Sequence, residues 1–393
     1  MKVLHVGKFF APFRGGVENY MRDAMVSLAR QGVRCFAVVH QHQWSFRSTD
    51  DLLDESASRI HIIRAGTWFK FMYTPFSPMF PVLLRRFIRL HQPDVLHLHM
   101  PNPSAFWVLL LKPAFRIPWV VHWHADVVAS THDPRLRWFY HLYRPLEQRL
   151  LRQAKAIVVT SQAYLDFSKP LKDHKNKCQV VPLGLDPGHH PARIQDTQMN
   201  PAKNLERFHI LAIGRLTYYK GFEYLIQAAV HLANVKIEIV GSGDQRKALE
   251  ALLNKLGVQD KVSLLGSLSD EELQKRLEHC DCLCLPSIER TEAFGMVLLE
   301  AMLHGKPVVV SDVAGSGMGW IVEQGNTGLL VKPSDVDSLT EALKYLQLNP
   351  VETQAMGQRG RIRFDEMFQI EKSTISLIGI YERVTTADTK NKA

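Results

Sequence analysis

Short apolar runs alternate with helix-period segments along the whole chain, and the alternation is interrupted once. In the first half the runs are KVLHV (2–6), RCFAVVH (34–40), DVLHLH (94–99), WVVHWH (119–124) and AIVVTS (156–161). A helix is predicted at about 17–31, behind a loop ending in Gly15 and Gly16. Each run is almost continuously apolar, which suits a parallel strand covered by helices on both faces. Over 180–204, four prolines, two glycines and no periodicity mark a linker. The alternation restarts with FHILAIG (208–214), VKIEIVG (235–241), KVSLLG (261–266), DCLCLP (281–286) and KPVVVSD (306–312). Helices are predicted near 219–233, 244–257, 269–279, 293–303, 335–348, 351–362 and 370–384. The expected fold class is α/β: two doubly wound, parallel-sheet, Rossmann-like domains, residues 1–185 and 205–367, joined by a linker at 186–204. They are expected to face a central cleft, since open α/β sheets bind ligands at their carboxyl edges. No 20–50-residue repeat argues for a solenoid.

A chain of 393 residues is long enough for two cores. No apolar run reaches the roughly 18 residues that span a bilayer. MKVLHVGKFFAPF has too short an apolar stretch, and no small-residue cleavage site, for a signal peptide. The expected location is cytoplasmic. Five cysteines without framework spacing agree with that. CDCLC resembles a metal cluster at first sight, but alternate residues of a strand share one face, and Cys280, Cys282 and Cys284 read more simply as small core fillers. Charge is uneven: residues 1–185 carry 25 Lys and Arg against 12 Asp and Glu, whereas the remainder is net acidic. The first half is therefore expected to face something anionic: nucleic acid, an anionic membrane or a phosphorylated lipid. There is no helix-turn-helix, zinc or aromatic RNA signature, so nucleic acid is not expected.

Three segments carry chemistry. In IGRLTYYKGFEYLI (213–226), a strand and glycine turn lead to Arg215, and then to Lys220 and Gly221 opening a helix. Two cations beside a helix N-terminus favour phosphate, although alone they also fit a solvated loop. VGSGDQRK (240–247) is a glycine-rich strand-to-helix turn through Gly241 and Gly243; Arg246 stands where a dinucleotide fingerprint needs its third glycine, so alone it is a tight turn. In ERTEAFGMVLLEAMLHGKPVVVSD, Glu292 and Glu300 flank seven residues. Eight helical steps rise about 12 Å, close to the sugar-to-ribose span of a nucleotide diphosphate-sugar. If the two carboxylates reach those ends, the N–H groups of Phe294, Gly295, Met296 and Val297 face the diphosphate, with Gly295 permitting close approach. A capping Glu and one satisfied buried Glu is the plainer reading of the same stretch.

Taken in order, GRLTYYKG, VGSGD, EAFGMVLLEAMLHGKPVVVSD and GNTGLLV resemble the retaining nucleotide-sugar glycosyltransferases of family 4, with the two-domain GT-B fold. The resemblance spans the chain and is most specific in the second half. It implies that Glu292 serves the donor sugar and Glu300 the ribose, and that Arg215 and Lys220 bind the diphosphate. It also implies that the Gly15-Gly16 loop closes over the diphosphate, and that His124 in HWHAD lies near the reacting sugar with Asp126 beside it. The last helix, within 368–393, is implied to return to the first domain. DVAGSGMGW (312–320) departs from the family's pattern, which leaves sugar contacts from 315–318 open.

The function so implied is transfer of a hexose, best read as mannose, with retention. The donor would be GDP-mannose or a UDP-hexose, and the acceptor a glycan or lipid-diphosphate-linked glycan of polysaccharide, O-antigen or lipopolysaccharide synthesis. Arg215, Lys220 and helix N–H groups would stabilise the leaving diphosphate in place of a metal, so no metal or other cofactor is expected. Glu292, His124 and Asp126 would position the sugar. A non-hydrolysing sugar-nucleotide epimerase of the same fold, or a non-catalytic sugar-nucleotide binder, are the alternatives. SPMFPVLLRRFIRLHQ (77–92) predicts a helix with Arg85, Arg86 and Arg89 on one face and Leu83, Leu84, Phe87, Ile88 and Leu90 on the other. That pattern fits an ordinary domain helix or one lying peripherally on an anionic membrane surface.

Overall fold

The computed structural model describes residues 1–390 except 14, 56–57, 72–73, 128–133 and 191–206. Most of the expected linker therefore lies outside the described residues. The chain divides into two units, Met1–Gly184 together with the segment from Ile370 onward, and Leu185–Gln369.

The first unit contains β1 (Lys2–Val6), α1 (Gly16–Arg30), β2 (Arg34–Trp44), β3 (Thr49–Glu55), β4 (Ser58–Thr67), β5 (Phe69–Phe71), β6 (Thr74–Phe76), α2 (Phe80–His91), β7 (Val95–Met100), β8 (Trp119–Trp123), α3 (Pro134–Gln153), β9 (Ala156–Val159), α4 (Gln162–Phe167) and β10 (Cys178–Val180). Eight strands form one sheet in the order β10-β9-β8-β7-β1-β2-β4-β3, and β5 and β6 form a separate ribbon. All neighbours in the large sheet are parallel except β3 and β4. The sequence pattern had shown neither β3–β6 nor β10. The antiparallel edge strand TDDLLDE carries acids that blunt an exposed edge, and so lacks the apolar signature of a covered strand. In α2, Phe80, Leu83, Leu84, Phe87 and Ile88 are buried while Arg85, Arg86 and Arg89 are exposed. Leu90, expected on the apolar face, is 62% exposed, because it sits in the last turn beside the left-handed cap at Gln92.

The second unit contains β11 (Phe208–Ile213), α5 (Phe222–Ala228), β12 (Val235–Val240), α6 (Arg246–Leu256), β13 (Val262–Gly266), α7 (Asp270–His279), β14 (Cys282–Leu285), α8 (Met296–Leu303), β15 (Val308–Ser311), α9 (Met318–Ile321), β16 (Gly328–Val331), α10 (Val336–Leu348) and α11 (Pro350–Met367). Its six strands are all parallel, in the order β13-β12-β11-β14-β15-β16. The order reverses between β11 and β14, and a crevice opens beyond the carboxyl ends of such a pair. The helix expected at 219–233 is broken into a 3-10 turn at Tyr218–Lys220, α5, and a second turn at Ala229–His231. Gly221, at φ +64°, makes the first break. Cys280, Cys282 and Cys284 are buried and outside any disulfide, and burial pushes the Cys282 and Cys284 thiols up.

Helix α12 (Ile370–Lys390) belongs to the first unit. Leu377, Ile380, Tyr381 and Val384 join Val3, Met25, Val39 and Val120 in its core. Gln31 Nε2, at the C-cap of α1, donates to Thr374 Oγ1 at 2.6 Å, and Ser373 Oγ donates to Pro182 O at 2.6 Å. Among the described residues, no helix is long and apolar enough to cross a membrane.

Candidate active site

The second unit gathers its candidate residues at the β11/β14 reversal. After β11 the chain turns at Gly214, whose N–H donates to Val240 O, and the exposed Arg215 follows. The turn is held by glycines. A Cβ on Gly241, itself at φ +147°, would lie 1.9 Å from Gly214 O, and one on Gly243 would lie 2.2 Å from Leu216 O. Gly241 and Gly243, expected at the donor, therefore support the backbone that carries Arg215. Gly214 also leaves room for Lys220, whose Cε would be 2.9 Å from a Cβ there. Lys220 is buried, and its Nζ is 2.5 Å from Glu292 Oε2.

Glu292 lies in a loop rather than a helix. Helix α8 begins at Met296, behind a left-handed Gly295 at φ +86°. The continuous 12 Å helical span is thus a correction: only the four steps from Met296 to Glu300 are helical, a rise of about 6 Å. The loop is fixed by residues to which the sequence had assigned no such role. Tyr218 Oη donates to Glu289 Oε2 at 2.8 Å, and Glu292 N–H donates to Glu289 O at 3.1 Å. Ser316 Oγ donates to Glu292 O at 2.5 Å, and Gly317 N–H donates to Ala293 O at 2.8 Å. The departing GSGMG turn thus braces the Glu292 loop from behind; its hydroxyl between glycines was the available signal. No acceptor among the described residues takes the N–H groups of Phe294, Gly295, Met296 or Val297. They are the orphan donors of a helix start, which favour an anion. Glu300, on α8, is buried.

In the first unit, Gly15 caps α1 in extended conformation and Gly16 is its first residue. A Cβ on Gly15 would meet Glu18 Oε2 at 2.2 Å. One turn on, Tyr20 sets its ring edge against His122 and His124, with centroids 5.3 and 6.0 Å away. His124 is wholly inside a stack of five imidazoles carried by β1, β7, β8 and the residue that follows β8. Two hydrogen-bonded rows run through it. His5 Nδ1 lies 3.1 Å from His99 Nε2, and His99 Nδ1 lies 3.0 Å from His124 Nε2. Beside them, His97 bonds Tyr381 through Nδ1 and His122 through Nε2. The rows stack, with His97 over His99 at 4.6 Å and His122 over His124 at 4.2 Å. Burial, then the neighbouring rings, pushes His97, His122 and His124 well below the ordinary imidazole value, and burial alone takes His99 down to about 3.

Nitrogens of His5, His97 and His99, and of His99, His122 and His124, lie within 4.8 Å of one another. They are nonetheless a poor fit for a metal. The rings already bond to each other, and no carboxylate among the described residues joins either triad to offset a divalent charge in an apolar interior. Asp126, expected beside the sugar, has Oδ1 engaged by Trp123 Nε1 at 2.8 Å and Ser168 Oγ at 2.7 Å, and its N–H donates to Tyr164 Oη at 2.6 Å. These bonds make it an anchor for the turn after β8. Nearby Glu147 on α3 is fully buried and receives Tyr140 Oη at 2.8 Å. Burial, opposed by that hydrogen bond, lifts its carboxyl to about 7.

Residues 14–189 match the family model for Glycosyltransferase Family 4, and residues 194–363 match that for Glycosyl transferases group 1. A D-rhamnosyltransferase of Pseudomonas aeruginosa is 32% identical over 275 residues, 70% of each chain. An O-antigen chain mannosyltransferase C of Escherichia coli is 28% identical over 388 residues, 97% of this chain and 98% of the other. Among solved structures, a sucrose-phosphate synthase from Thermosynechococcus elongatus superposes with a TM-score of 0.80 at 22% identity, over 98% of this chain and 99% of that one.

Proposed function

From the premise that the chain belongs to the group 1, family 4 glycosyltransferases, retaining enzymes that move a sugar from a nucleotide-sugar, we propose that it transfers mannose from GDP-mannose to a growing polysaccharide. The acceptor we assign is a glycan or a lipid-diphosphate-linked glycan at the cytoplasmic face of a membrane. The sugar assignment is supported by the near full-length likeness to an O-antigen mannosyltransferase.

The observation that carries the reading is the Lys220–Glu292 pair at the strand-order reversal, beside exposed Arg215 and the open start of α8. A diphosphate would compete with Glu292 for the Lys220 ammonium and draw on Arg215 and the α8 N–H groups as well. Together these offset the charge that grows as the sugar–phosphate bond breaks. Glu292, released from Lys220, would take the sugar hydroxyls, and Glu300 the ribose. The acceptor oxygen bonds to the anomeric carbon on the face the diphosphate leaves, and its proton passes to a diphosphate oxygen. On the family's pattern the Gly15-Gly16 loop would serve a diphosphate and His124 a sugar. Gly241, Gly243 and Asp126 act as positioning residues.

A panel of nucleotide-sugars tests the donor. GDP-mannose at a large excess over its dissociation constant should raise the melting temperature, since a ligand at 100 times that constant adds about 2.7 kcal/mol. Mass spectrometry should show one hexose added to a lipid-diphosphate glycan. A UDP-hexose that stabilises the fold while GDP-mannose does not would overturn the mannose assignment. Interconversion of a UDP-sugar without acceptor would favour an epimerase.

A further inference from the structure

The histidine row that ends at His124 obeys a proton count. His5 faces His97 in the strand register and bonds His99, two residues further along. His99 in turn faces His122 and bonds His124, again two residues further along. Residues two apart share one face of a sheet, so the row climbs diagonally over β1, β7 and β8 on that face. It leaves the sheet at its carboxyl edge, because His124 follows the last residue of β8. Burial keeps all three rings neutral. Three neutral imidazoles hold three N–H groups and three bare nitrogens. Each bond within the row takes one of each. One N–H and one bare nitrogen are left for the two ends, His5 Nε2 and His124 Nδ1. The row therefore has two states: the proton stands at one end or at the other, and all three rings change tautomer together.

Among the described residues neither end has a hydrogen-bond partner. The ends differ in their surroundings. His5 lies within β1, between β7 and β2, and is 1% exposed. An N–H sealed there without an acceptor costs more than a bare nitrogen in the same place. His124 stands beyond its strand, at the edge where parallel α/β sheets take their ligands. The proton belongs at that end, where an incoming oxygen can accept from it.

We propose that His99, backed by His5, is a positioning residue: it holds His124 in the tautomer with its proton on Nδ1, a hydrogen-bond donor to an oxygen of the transferred sugar. This rests on the reading above that His124 serves a sugar. With Nε2 taken up as the acceptor of His99, the ring gives a hydrogen bond and receives no proton. The acceptor's proton is left to the diphosphate oxygen.

Nitrogen-15 labelling of the histidine rings tests it, with His124 assigned by its loss in His124→Gln. The shifts of the wild-type protein should show Nδ1 protonated and Nε2 bare. His99→Leu removes the donor to Nε2, and the proton should move to Nε2, the site a free neutral imidazole prefers. Turnover with GDP-mannose should then fall about 10-fold to 100-fold, with GDP affinity unchanged. His99→Asn, whose amide N–H replaces Nδ1–H, should restore both the Nδ1 proton and most of the turnover. His97→Phe keeps a ring stacked on His99 but breaks only the other row, so the His124 proton should stay in place. A wild-type His124 protonated on Nε2 would overturn the proposal, as would a His99→Leu protein whose His124 tautomer is unmoved. A tautomer that moves while turnover stays within about threefold would overturn its role at the sugar. The spectra decide the tautomer whichever sugar is transferred, so failure of the row and failure of the mannose assignment are separable.

Discussion

Lys220 and Glu292 are 72 positions apart in sequence and 2.5 Å apart in space. Each is mostly shielded from water, so removing one leaves the other's charge without its partner. Replacement therefore has two effects that must be separated. Glu292→Ala should cut turnover by about 100-fold or more, the usual cost of losing a positioning or electrostatic group. Binding of GDP should hold or tighten, because Lys220 is freed for the diphosphate. Single-turnover rates and calorimetry check the two halves, and turnover within about threefold of wild type would remove Glu292 from the chemistry. Lys220→Ala and Arg215→Ala should both weaken GDP binding. Lys220→Ala should also lower the melting temperature, whereas Arg215→Ala should leave it unchanged because that side chain stands in water. Calorimetry and a melting curve on each variant suffice, and unchanged GDP affinity in both would exclude the pair.

The βαβ elements could be read because strands such as VVVS and AIVV are covered on both faces and spell their burial directly. Elements with one wet face could not: β3 reads as acid-rich loop, and β5 and β6 are three residues each. The motif residues could be named from their types and spacing. Their division of labour could not, because it depends on contacts far apart in sequence. Gly241 and Gly243 can be named from the sequence as donor-site glycines of a tight turn, but not the backbone of 214–216 that packs against them. The histidine rows had a visible signal, the H-x-H pattern of 97/99 and 122/124, but only the sheet order brings His5 beside them. Gly241→Ala is the sharpest element-level prediction. Its Cβ would overlap the Gly214 carbonyl in a backbone region that disfavours side chains. The strain of about 1–3 kcal/mol should appear as a lower melting temperature and weaker GDP binding together. An alanine variant with both unchanged would show that the Arg215 turn does not depend on this packing.

At the scale of the whole molecule, five buried neutral imidazoles link stability to pH. In the unfolded chain each titrates near 6.5, while burial depresses all five in the fold, His99 to about 3. Their contribution is therefore fully present above pH 6.5. It is lost as pH falls, since protons bind the unfolded chain first, and for His99 the loss runs from 6.5 to about 3. Each ring adds a slope of up to about 1.4 kcal/mol per pH unit. The melting temperature should drop steeply between about pH 6.5 and about pH 5, before most carboxylates titrate; a flat profile there would mean that the rings are not held neutral. The placement of α12 has another consequence. The second unit is an insertion within the first, entered at Leu185 and left at Gln369, two residues joined by a β-bridge. On the ribosome, the unit whose synthesis begins first is thus the last that can close. His97 waits for Tyr381, and Ser27 for Thr374, until synthesis has passed the inserted unit, by which time that unit has all of its own residues in hand.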